Sequence, residues 1–108
     1  MKTFPKKPGL QARTDAAMFR AKQRDDWKCV VCGQGREQDV PVEGAHLLVR
    51  RFPFPRWRQD NEEFIPTLCT PHHREYDKDH DPIKKAAWWF EKGLKEWGNK
   101  VLWIIGEM

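Results

Sequence analysis

Two short pairs of metal-type donors stand out in the sequence: Cys29-x-x-Cys32 and, further on, Cys69-x-x-His72. Each pair has the spacing that lets one turn of chain occupy two corners of a tetrahedral ion. Three thiolates and a neutral imidazole complete a four-coordinate shell, the closed arrangement of a structural zinc site. The chain has 3 cysteines, an odd number, which metal ligation explains better than a disulfide framework. Bound zinc would supply folding free energy, on the order of 10–16 kcal/mol of apparent binding in comparable small sites. Taken alone, the two pairs suit a zinc ribbon as well as an enzyme.

Other residues go beyond what zinc requires. His46 lies well away from either pair, Asn61 stands between them, and His72 is doubled by His73. A helix opening at Pro71 would carry His73 and Asp77 four residues apart on one face. Imidazole and carboxylate together suit a divalent cation such as Mg2+, Mn2+ or Ni2+. His80, three residues further on, could approach the same face.

The runs Arg24-Asp-Asp-Trp-Lys-Cys-Val-Val-Cys-Gly33, Glu43-Gly-Ala-His-Leu47, Asp60-Asn61 and Leu68-Cys-Thr-Pro-His-His-Arg-Glu-Tyr-Asp77 resemble the HNH endonucleases, in particular the small zinc-bearing kind common in phages. The likeness covers roughly residues 20–80. It implies an α+β fold with a ββα-metal core and a zinc knuckle, and hydrolysis of DNA phosphodiester bonds with a divalent metal. By that resemblance the catalytic residues are His46, Asn61 and His73, with His73 and Asp77 on the catalytic Mg2+, Mn2+ or Ni2+. Zinc falls to Cys29, Cys32, Cys69 and His72; the adjacent histidines could exchange roles. His46 suits the general base, since an unperturbed imidazole has a pKa of about 6.5. The family often places Asp or His immediately before this histidine as a metal ligand, whereas this chain has Ala45. On a strand, Glu43 would point with Ala45 and away from His46, making it a poor substitute.

A duplex needs further contacts. Arg50, Arg51, Arg56 and Arg58 interleave with Phe52, Phe54 and Trp57, so the arginines are expected to neutralise phosphates and Trp57 to wedge or stack on bases. The rival expectation is a non-catalytic, zinc-stapled DNA-binding module, motivated by Ala45. Trp88, Trp89, Trp97 and Trp103 crowd the C-terminal quarter; they are expected to form a second face of the core or a homodimer surface, and a dimer would let two single-metal sites cut both strands.

The elements that must position these groups can be read in outline. Thr14-Asp15 caps a helix of about residues 15–26. A glycine-bearing knuckle follows at 29–35, then a strand within 40–49 and a return strand within 62–68. The prolines of 50–58 predict a loop between them. Pro71 opens a short helix through Asp79, and Asp81-Pro82 caps a longer one to about Trp97, with Ile83, Ala87, Phe90, Leu94 and Trp97 as its apolar stripe. Gly98-Asn99 is expected to end it.

The 108 residues are 39% hydrophobic, enough for one modest core. The expected organisation is a basic flexible arm over 1–13 and a single nuclease domain over 14–108, with a helical extension from 81. Lys+Arg number 20 against 16 Asp+Glu, for +4 overall, and residues 1–28 hold eight basic and three acidic side chains. A polyanionic partner is favoured. No apolar run exceeds five residues, against about 20 for a membrane span. With a basic, Pro-rich start lacking an apolar signal region, the expectation is a soluble protein of the cytoplasm, the host cytoplasm if phage-encoded, with no membrane partner.

Overall fold

The computed structural model describes residues 9–48 and 60–106. Among the described residues the architecture is α+β, with four helices and one two-stranded antiparallel sheet. Helix α1 spans Leu10–Arg24, strand β1 Val42–Gly44, strand β2 Thr67–Cys69, helix α2 Thr70–Asp77, helix α3 Pro82–Glu91 and helix α4 Lys95–Gly106. The strands pair Val42 with Cys69, Glu43 with Leu68 and Gly44 with Thr67. No helix among the described residues is long and apolar enough to cross a membrane.

Helix α1 begins inside the stretch expected to be a flexible arm. Thr14 is not its cap but a buried residue of its inner face, with Ala17 and Ala21 completing the stripe. That face meets Ile65, with Met18 packed alongside. Arg24 then fastens the helix end to the chain entering β2: its guanidinium donates to the Glu62 and Ile65 carbonyls and to both oxygens of Asp25, and Asp25 Oδ2 also accepts from the Thr67 N–H at 3.2 Å.

Both strands are shorter than expected. β1 stops at Gly44, and the return segment spends Glu62–Phe64 on a 3-10 turn before β2. α2 runs straight out of β2, with Cys69 as N-cap and Pro71 in its first turn, and ends at Asp77 rather than Asp79.

The expected single C-terminal helix is two helices. Asp81 caps α3 as anticipated, its carboxylate accepting from the Ile83 N–H at 2.9 Å. Gly93 ends α3 with φ +76°, while its N–H donates to the Phe90 carbonyl and that of Leu94 to the Trp89 carbonyl. This is the paired Schellman closure, which needs a residue free to adopt the left-handed region. Gly98 lies within α4, where a Cβ would sit 2.8 Å from the Phe90 ring; its smallness lets α4 close on α3. Val101 to Ile105 belong to α4.

The fold-back also selects a different buried face. Ile83 is 60% exposed and Phe90 39%, whereas Trp89, off the expected stripe, is 0% exposed. Its ring lies 5.1 Å from that of Tyr76, 4.9 Å from Trp88 and 5.8 Å from Trp97. Trp97, Val101 and Ile104 supply the α4 side of this core, and Cys29, Ala45, Leu47, Leu48 and Leu68 continue it beneath the sheet. Trp103 remains exposed and stacks on Phe64.

Lys85 is also buried. Its ammonium donates to the Tyr76 carbonyl at 2.8 Å and sits 3.9 Å from the centre of the Tyr76 ring. Burial holds its pKa below the ordinary lysine value. The contact satisfies a carbonyl at the open end of α2, where helix dipole and lone pairs both favour a cation.

Candidate functional site

The Cys29–Cys32 knuckle is positioned from two sides. After α1 the chain turns through Asp26 and Trp27, both at positive φ. The Gly33 N–H closes back on the Cys29 carbonyl at 2.8 Å, and the Val30 N–H reaches the Thr67 carbonyl of β2 at 2.9 Å. Cys69 ends β2, and His72 lies in the first turn of α2. The two sequence pairs thus converge. Ligand atoms of Cys29, Cys32, Cys69 and His72 all lie within 4.8 Å of one another. Cys32 Sγ is 3.9 Å from Cys69 Sγ, and His72 Nδ1 is 3.6 Å from Cys29 Sγ and 3.1 Å from Cys69 Sγ. A tetrahedral ion with bonds of about 2.0–2.3 Å requires donor separations of about 3.5–3.8 Å, so the set fits a metal such as zinc.

The electrostatics of this cluster follow from burial and local N–H groups. Burial opposes the Cys29 thiolate, but backbone N–H groups around it, of Cys69, Cys32 and Val31, outweigh that and hold its pKa below the ordinary thiol value. Cys69 is pushed up to about 11 by burial, against a lowering hydrogen bond from the His72 backbone N–H, with the Cys29 and Cys32 sulfurs adding to the rise. Thiols crowded this way lose their protons on binding a cation.

One residue along α2 a second constellation opens into a cleft of about 680 Å3. His46, His73, Asp77 and His80 line it together with Glu43 of β1 and Lys22 of α1. His73 Nε2 lies 3.2 Å from Asp77 Oδ2, the one-face pairing anticipated from their spacing, and His73 Nδ1 lies 3.4 Å from Glu43 Oε2. The hydrogen bond to Asp77 raises the His73 pKa against the opposing effect of burial, and Glu43 adds to it. Burial alone would raise Asp77, but His73 beside it keeps the carboxyl below its ordinary value, with Lys85 and His46 contributing. An imidazole between two carboxylates, with a second imidazole nearby, can hold a cation and move a proton.

The expectation that Glu43 points away from His46 is corrected. Because β1 ends at Gly44, strand alternation does not carry through to residue 46, and Glu43 and His46 line the same cleft. Ala45 is 0% exposed within the main core, and its N–H donates to the Pro66 carbonyl at 2.9 Å. Its side chain faces away from the cleft, so residue 45 is no place for a ligand to the same ion.

Asn61 is not among the residues lining the cleft; its Oδ1 accepts from the Glu63 N–H at 3.0 Å and caps the 3-10 turn before β2. Arg50, Arg51, Arg56, Trp57 and Arg58 lie outside the described residues. Glu43 and Lys22 were overlooked in the sequence for different reasons. Glu43 was visible but misoriented by an overlong strand, whereas Lys22 carries no local signal and reaches the cleft because α1 packs over β1.

No protein-family model matches the chain, and neither a curated protein nor a solved structure matches it.

Proposed function

We propose that the protein is a metal-dependent DNA endonuclease of the HNH type, with a ββα-metal core and a structural zinc. The observation that carries this reading is the cleft in which His46 meets the His73–Asp77 pair, one residue along the helix from the Cys3His cluster. The chain order β1, β2, α2 supports it, since that succession is what a ββα core requires. Cys29, Cys32, Cys69 and His72 would hold zinc and staple the knuckle to β2 and α2. His73 and Asp77 would hold Mg2+, Mn2+ or Ni2+; such an ion, when bound, supplies positive charge to the scissile phosphate and the leaving oxygen.

The chain's own groups account for the remaining work. His46 accepts a proton from the water that attacks phosphorus, so the P–O bond to the leaving oxygen can break as the new one forms. Lys22 of α1 offers a cation in a cleft that also holds the carboxylates of Glu43 and Asp77, easing approach of a polyanion. Arg50, Arg51, Arg56, Trp57 and Arg58 hold the flanking duplex. Leu102 and Trp103, both exposed on α4, are where a homodimer of the C-terminal region would dock.

One observation favours a second reading, a non-catalytic zinc-stapled DNA-binding module: the burial of Ala45 leaves the cleft without a ligand from that position. Plasmid cleavage in Mg2+ or Mn2+, run for wild type beside His46→Ala, separates the two. Cleavage that disappears in the variant supports the nuclease; DNA binding without cleavage by wild type supports the module.

A further inference from the structure

We infer that Glu43 is the positioning residue for His73, fixing the imidazole so that Nε2 is presented beside Asp77 to the divalent cation. This rests on the nuclease reading, in which His73 and Asp77 hold that ion. The two ring nitrogens face different carboxylates: Nδ1 is 3.4 Å from Glu43 and Nε2 is 3.2 Å from Asp77. A neutral imidazole has one N–H to give, and whichever nitrogen gives it leaves the other lone pair for a metal. Two features choose between them. Glu43 is already engaged on its other oxygen, where Oε1 accepts from the Thr70 hydroxyl at 2.8 Å. Asp77 lines the cleft together with His46, and its Oδ2, 3.2 Å from Nε2, stands close enough for both atoms to share one ion.

Glu43 therefore closes a strut from β1 to α2: Thr70 begins the helix, His73 lies one turn on, and one carboxylate grips both. A carboxylate taking the second N–H of a metal-bound histidine orients the ring and makes it a better ligand, and losing such a partner weakens metal affinity about 10–100-fold. Glu43 is 46% exposed in its side chain, so replacing it leaves the core intact.

The test measures Mn2+ affinity of the zinc-loaded full chain by calorimetry, alongside the His73 tautomer by 15N NMR in saturating Mg2+. Glu43→Gln is expected to weaken Mn2+ about 10–100-fold, with unchanged zinc content and loss of the Nδ1–H preference; Thr70→Val should do the same to a smaller degree. Wild-type Mn2+ affinity and tautomer in Glu43→Gln would overturn the inference while leaving the nuclease reading standing. Loss of Mn2+ binding in Glu43→Gln as complete as in Asp77→Asn would overturn it too, by making Glu43 a ligand. If His73→Ala binds Mn2+ as wild type does, the assignment of the ion to His73 fails, and the inference falls with it.

Discussion

The Cys3His cluster and the His46 cleft share a helix and differ in almost everything else. In the first, four donors from two tight turns lie within 4.8 Å of one another, and among the described residues no other group of three or more His, Cys, Asp or Glu side chains is gathered so closely. In the second, the carboxylates of Glu43 and Asp77 stand at opposite nitrogens of one ring, and the lining comes from α1, β1, the chain beyond it, and α2. A closed shell can be built from local spacing, because each turn brings its own two ligands. An open cleft must be assembled by packing, so its members are scattered along the chain and one side is left open.

The largest effect that could break this contrast is removal of the closed site. Stripping the metal from the Cys29, Cys32, Cys69 and His72 set should unfold the domain, because about 10–16 kcal/mol of apparent binding matches or exceeds the usual stability of about 5–15 kcal/mol. Circular dichroism during chelation checks it, and a chain that stays helical without zinc would reduce the cluster to an ornament. Ala45→Asp comes next: it places a carboxylate in the core, with a penalty of several kcal/mol, and should lower the melting temperature without tightening Mg2+ binding. A lower Mg2+ requirement in that variant would show that residue 45 reaches the cleft after all.

His46→Ala should reduce cleavage about 10^2–10^4-fold while zinc content, fold and DNA affinity stay near wild type. Rates and affinities measured on the same preparation decide this, since a general base acts on the transition state rather than on ground-state binding. The smallest effect belongs to Asn61→Ala, which removes a cap worth about 1 kcal/mol and should leave cleavage within a few-fold. A hundredfold loss of rate at unchanged stability would return Asn61 to the chemistry.

Local signals were legible and long-range ones were not. The spacing of the two donor pairs located the Cys3His cluster, the four-residue step placed His73 beside Asp77, and Asp81-Pro82 marked the start of α3. The apolar stripe through Ile83 and Phe90 is genuine in the sequence, yet it assumes one helix continuing through Gly93. Once Gly93 reverses the chain, α4 covers the other face, and Trp89 and Lys85 go inside. Periodicity states which residues share a face; it does not state which face finds a partner. The same limit hid Lys22, whose place in the cleft depends on what α1 rests upon. A lysine reads as a surface residue by composition, so the burial of Lys85 had no local warning.

That buried lysine gives the molecule a chemical clock. Lys85 is 2% exposed and its nitrogen is engaged with the Tyr76 carbonyl, so it reacts with an acylating reagent only when α3 lifts from α2. Neighbouring Lys84, exposed on the same helix with its ammonium 3.7 Å from Asp79, serves as the internal standard. The ratio of their labelling rates, followed by mass spectrometry, reads how often the helix bearing His73 and Asp77 loses its support.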